Sequence, residues 1–190
     1  MKILKLAKEN LDLFVSVLPA FGEVYAPVKR GKSYVFDKPS KWSDVELKYT
    51  RTLLPPKKLM LPPREATFAF DPDKGYQDLL AEASKPMVLF GVHSYDIFGL
   101  NILDRVFAQS KYPDPYYIAR RKSTAVIGVD FEPDDKHLAS SMNTDFVDSG
   151  FDLFLSDIGD HYLVLVGTSR GDDMVVMSGC LLEEPTEADF

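Results

Sequence analysis

The stretch Lys85–Arg121, KPMVLFGVHSYDIFGLNILDRVFAQSKYPDPYYIARR, decides the fold. Met87–Val92 is apolar on both sides of the pleat, the pattern of an inner strand covered on both faces. The chain turns at His93-Ser94, and Ile97, Leu100, Leu103 and Phe107 then fall on one helical stripe. Asp96, or Ser94, is expected to cap that helix through its side-chain oxygen. Asp114-Pro115 supplies a cap and a first turn for a short helix over 116–121. Thr124–Asp130, TAVIGVD, is a second continuous apolar strand. Strand, helix and strand make a parallel crossover unit, with the two strands adjacent or one strand apart.

Outward from this unit the signals are shorter. Leu4, Ala7, Leu11, Phe14 and Leu18 recur every three or four residues, which predicts an amphipathic helix over 2–18 that Pro19 helps to end. Segments 23–28 and 33–37 flank Lys29-Arg30-Gly31-Lys32 and predict a hairpin. Val45, Leu47 and Tyr49 alternate with polar residues, the period of a strand with one wet face. Two proline pairs, Pro55-Pro56 and Pro62-Pro63, frame a rigid extended loop. A strand over 67–70 and a helix over 75–84 are expected around Asp71-Pro72-Asp73. Segment 131–148 reads as a polar loop with a helical turn near 138–142. Segments 151–155 and 162–166 read as a hairpin, 174–177 as an edge strand, and 183–190 as a frayed acidic tail.

These elements predict a single α/β domain over 1–182, with a mixed sheet. The parallel unit 87–130 lies at its centre and antiparallel hairpins lie at its edges. The chain has 190 residues, 45% hydrophobic and 27% charged, which is a globular composition. A net charge of −7 argues against nucleic acid, and no apolar run is long enough for a membrane span. A single cysteine, Cys180, fits a reducing cytoplasm and makes no internal disulfide.

Five segments, in order, carry a resemblance: TRTLLPPKKLMLPPRE (50–65), VLFGVHSYDIFGLNILDRVF (88–107), DPYYIARR (114–121), AVIGVDF (125–131) and GFDLFLSDIGDHYLVLVGTSRG (150–171). The chain resembles, over most of 23–171, the N-terminal part of the iron–sulfur beta subunit of hydrogenase/sulfur reductase complexes. It resembles equally the related iron–sulfur subunit of anaerobic sulfite reductase. The resemblance implies a redox complex in which four-iron clusters pass electrons to a flavin partner that handles a nicotinamide cofactor. Partners would then be hydrogenase subunits or flavin/NAD(P)-dependent reductase subunits.

The sequence departs from that family where the ligands belong. After the apolar strand the family typically reads Arg-Pro-Cys-Asp, whereas His93-Ser94-Tyr95-Asp96 stands here. The loop after AVIGV is typically cysteine-rich and here holds none, and a C-terminal ferredoxin-like domain is not expected. A cluster needs about four thiolates. The expectation is therefore a cluster-free relative with no cofactor and no catalysis by this chain alone, acting as an accessory or docking module.

Two candidate sites come from the residues themselves. His93 and Asp96 stand at the carboxyl end of an inner strand, where open α/β sheets gather ligands. They form either a small polar site, open to a small ligand or an enzymatic role, or a helix cap with a polar neighbour. Lys57, Lys58, Arg64, Arg105, Arg120 and Arg121 form either a basic partner surface or a set of ordinary ion pairs. Asp134, Asp135 and His137 read as a solvated loop rather than a metal site.

Overall fold

A computed structural model describes residues 2–189. Eight strands form one mixed sheet. In chain order they are β1 (Lys2–Ala7), β2 (Glu23–Arg30), β3 (Ser33–Asp37), β6 (Met87–Val92), β7 (Thr124–Val129), β8 (Leu153–Asp157), β9 (His161–Val166) and β10 (Leu182–Glu183). Across the sheet they run β10-β1-β9-β8-β7-β6-β2-β3. A separate two-stranded ribbon pairs β4 (Phe68–Asp71) with β5 (Gly75–Asp78). The helices are α1 (Leu11–Ser16), α2 (Leu80–Ala83), α3 (Ser94–Leu103), α4 (Pro115–Ser123) and α5 (Ser169–Met177).

The parallel centre is as expected, and the two predicted strands are adjacent. β6 pairs in parallel with β7 from Met87↔Thr124 to Val92↔Gly128. β2 joins β6 and β8 joins β7, also in parallel. Side chains of β6 and β7 feed two cores, one on each face. Val88, Phe90, Ala125 and Ile127 enter one, and Leu89, Val92 and Val126 enter the other. A register shift between Phe90 and Val92 resets the alternation. It centres on Gly91, whose φ is +77° and whose missing Cβ would lie 2.8 Å from Leu47 Cδ2. No larger residue fits that backbone or that approach.

The hairpins at 23–37 and 153–166 form as read. The Asp114 carboxylate accepts from Tyr116 N and Tyr117 N, at 2.9 and 3.1 Å, and starts α4. The stripe from Ile97 to Phe107 is α3 followed by a π-helical turn, Asp104–Ala108.

Four expectations are corrected. Residues 2–7 are a strand, because Leu4 and Leu6 also alternate and β1 pairs along its whole length with β9. Only Leu11–Ser16 is helical there. The 45–49 alternation gives no strand. A single bridge joins Val45 to Val28, and the segment then turns its odd side chains inward. Residues 75–78 are strand rather than helix. The Asp71 carboxylate accepts from Asp73 N and Lys74 N, and Gly75 takes φ +77°, so the turn closes and Tyr76 faces Phe70. Residues 174–177 are helix rather than edge strand, because the Thr168 hydroxyl accepts from Gly171 N and caps α5. Leu182–Glu183 pairs with β1, and Asp189 lies 3.4 Å from Lys5.

Candidate functional site at the end of the inner strand

His93 ends the extended run and its carbonyl starts α3, accepting from Asp96 N and Ile97 N at 3.0 and 3.1 Å. No side chain caps the helix, so the expected cap by Asp96 or Ser94 does not form. The reason lies in the loop above. The buried Ser94 hydroxyl is 2.9 Å from the carbonyls of both Thr144 and Asp145, and so pins segment 131–148 over the helix start.

His93 is fully buried in an aromatic cage. Its ring stacks on Tyr49 at 3.8 Å and 9°, and on Phe131 at 5.1 Å and 28°. Tyr95 and His137 close the cage, with His137 4.7 Å from the Tyr95 ring and 4.6 Å from Phe131. Tyr49 is itself fixed by donating to the Gly91 carbonyl at 2.9 Å. The register shift in β6 thus aims the carbonyl that holds the cage wall.

The hydrogen bonds assign the tautomer. The Tyr95 hydroxyl donates to the Thr50 carbonyl at 3.2 Å and lies 2.8 Å from His93 Nδ1. With the phenol proton committed to Thr50, Nδ1 carries hydrogen and donates to the Tyr95 oxygen. Nε2 is then a bare lone pair, buried without a partner. A lone pair against ring carbons costs less than an unpaired N–H. Burial, and then the nearby His137, push the His93 pKa down to about 3, so the ring is neutral. Burial pushes the Asp96 carboxyl up to about 7, with Lys57 opposing. Burial likewise raises the phenols of Tyr49 and Tyr95.

Beside the cage, a cavity of about 900 Å³ opens at the carboxyl ends of β7 and β8. Its apolar wall is Leu47, Tyr49, Val129, Phe131 and Tyr162. Asp130 and Asp157 stand at its rim, Asp157 paired with Lys8 at 2.6 Å. His93 and Asp96 do not line it: Tyr49 and Phe131 separate His93 from the open space. Arg51 and Asp134 pair across the loop above.

The basic residues are dispersed. Arg120 is buried, donates to the Met60 carbonyl at 2.7 Å and pairs with Glu65, so it ties the proline loop to α4. Arg121 pairs with Asp104 at 3.1 Å. Lys57 and Lys58 share a 3-10 turn, Pro56–Leu59, and Arg64 and Arg105 are exposed. Among the described residues no three of His, Cys, Asp and Glu gather as a metal-ligand set. Among them, too, no helix is long and apolar enough to cross a membrane.

Tyr49, Phe131 and His137 are the partners of His93 that the sequence reading missed. The one signal was the 45–49 alternation, which placed Tyr49 on an inward phase without naming what it meets.

Sequence comparison agrees with the resemblance carried by the quoted segments. The chain matches the N-terminal region of a sulfhydrogenase beta subunit. The relative is sulfhydrogenase 2 subunit beta of Pyrococcus furiosus, 38% identical over all 190 residues. The likeness to this sulfhydrogenase subunit thus extends beyond 23–171 at both ends. The chain spans 56% of that subunit's length. No family model and no solved structure matches the chain.

Proposed function

We propose that this chain is a subunit module of a hydrogenase-type redox complex, cluster-free itself and acting by docking. Its partners are hydrogenase subunits or flavin/NAD(P)-dependent reductase subunits. Similarity to the sulfhydrogenase beta subunit supports the type of complex. The observation that carries the cluster-free part is the cage. At the turn where the resemblance implies a thiolate, Tyr95 stands instead, hydrogen-bonded to His93 and Thr50 and packed on His137. The residues at this turn do not fit an iron–sulfur cluster. Their donors are a buried neutral imidazole and two phenols whose pKa values lie above the ordinary range. Cys180, exposed after α5, is a single thiol.

The test is anaerobic purification of the tagged chain from its own cells. The expected result is co-purified hydrogenase or reductase subunits, and no broad visible absorbance once the chain is stripped from them. Recovery of the chain alone overturns docking, and a thiolate-cluster band on the isolated chain overturns the cluster-free reading.

The cavity favours a second reading, a small-ligand site at the strand ends with His93 and Asp96 behind its wall. Ligand-induced shifts of the Phe131 and Tyr162 ring resonances would support it. A screen of anionic and aromatic metabolites that leaves both rings unmoved removes it.

A further inference from the structure

The β4–β5 ribbon stands apart from the eight-stranded sheet, and every residue of Phe68–Asp71 is exposed. Phe70 pairs directly with Tyr76, and Phe68 is two residues along the same strand, so all three rings share one face. They are 56%, 70% and 63% exposed for Phe68, Phe70 and Tyr76, and the Phe68 and Tyr76 rings lie 5.4 Å apart. A two-stranded ribbon is marginal by itself in water. This one is held at its base, where the Tyr116 hydroxyl meets the Thr67 carbonyl at 2.6 Å and Asp78 at 2.9 Å. Clustered aromatics on a braced, projecting element are the composition of an interface core, not of a solvated face.

Charge selects the occupant. The ribbon carries Asp71, Asp73 and Asp78 against Lys74 alone. A second copy would bring the same carboxylates together, within a chain of net charge −7. Phosphate backbones and anionic lipid surfaces are repelled for the same reason.

We infer that the β4–β5 ribbon is the element by which this module enters an apolar groove, rimmed by lysine and arginine, on a partner subunit. The inference rests on the docking reading above and names its contact surface. Phe70 and Tyr76 form the buried centre, and Asp73, whose carboxylate is free of the turn's own hydrogen bonds, meets the basic rim.

The test compares tagged wild type, F70S/Y76S, Asp73→Lys and the control L138S/M142S, each expressed in the native cells and purified anaerobically. Leu138 and Met142 are equally exposed, at 67% each, but lie on the loop of 131–148. All four substituted sites are on the surface, and matching thermal melts confirm folding. The expected result is at least about a tenfold loss of co-purified subunit for F70S/Y76S and under about twofold for the control, as hot-spot aromatics behave. Asp73→Lys is expected to lose about threefold at low salt and nothing at high salt. Undiminished recovery with F70S/Y76S overturns the ribbon and leaves docking standing. Wild type recovered alone defeats docking and the ribbon together. A wild-type dimer in sedimentation that F70S/Y76S dissolves overturns the choice of partner.

Discussion

The cage and the ribbon use the same kinds of side chain to opposite ends. Around His93 the rings of Tyr49 and Phe131 are stacked inward, and the register shift at Gly91 directs the carbonyl that holds Tyr49. On the ribbon Phe68, Phe70 and Tyr76 face water from a hairpin that a single turn closes. The cage joins residues more than forty positions apart, so it exists only when the whole domain has folded. The ribbon is local and needs only its base. Stability belongs to the first region and recognition to the second, although composition alone does not tell their aromatics apart.

The comparison breaks first, and hardest, at Tyr49. Tyr49→Ala removes a buried ring, its stacking on His93 and its bond to Gly91, and is expected to cost about 3–5 kcal/mol in urea unfolding. A cost under about 1 kcal/mol would mean the cage is not structural.

The next effect is a pH dependence that the wild type conceals. His93 has a folded pKa of about 3, against 6.5 ordinarily. The unfolded chain therefore takes up a proton that the fold refuses, and stability falls as pH drops below about 6.5. Asp96 has a folded pKa of about 7 against 3.8, so the fold keeps a proton that the unfolded chain loses. Its contribution is full below about 3.8 and is lost as pH rises towards 7. Between about pH 4.5 and about pH 6.5 the two slopes oppose. His93→Phe should leave stability falling with rising pH, and Asp96→Asn should leave it rising, each by about 2 kcal/mol across that window. Urea midpoints at the two pH values measure both, and parallel behaviour of the variants would refute the assignment.

Smaller effects lie on the ribbon. Tyr116→Phe removes the hydroxyl at its base and should lower protection of the amides in 68–78 by about 1 kcal/mol in hydrogen exchange, with the cage amides unchanged. Phe70→Ala, on an exposed face, should change global stability by less than about 0.5 kcal/mol. A large loss there would show that the ribbon is packed rather than presented.

Much of the fold was legible where one signal ruled. Met87–Val92 and Thr124–Val129 are apolar without interruption, and no helix competes for runs so short. The losses came where two periods coexist. In KILKLAKENLDLF, Leu4 and Leu6 alternate while Leu4, Ala7, Leu11 and Phe14 follow the helical spacing. Pairing with β9 decided for the strand. Met174–Met177 looks β-prone in isolation, but Thr168 lies six residues upstream and sets the helix. At the site, the place of His93 at a strand end was readable. Its partners were not, because Tyr49 and Phe131 arrive through tertiary pairing that carries no local pattern.

The first strand of the chain is also one of the last to find its place. β1 lies between β9 and β10, so its partners are residues 161–166 and 182–183. On the ribosome, Lys2–Ala7 is made first and must wait while nearly the whole domain emerges. Sheet closure is thus tied to the most distant contacts in the sequence, the kind that slow folding. Until then Leu4 and Leu6 remain uncovered, and a chain stopped before residue 161 would display them as an unpaired apolar edge, open to association with other chains.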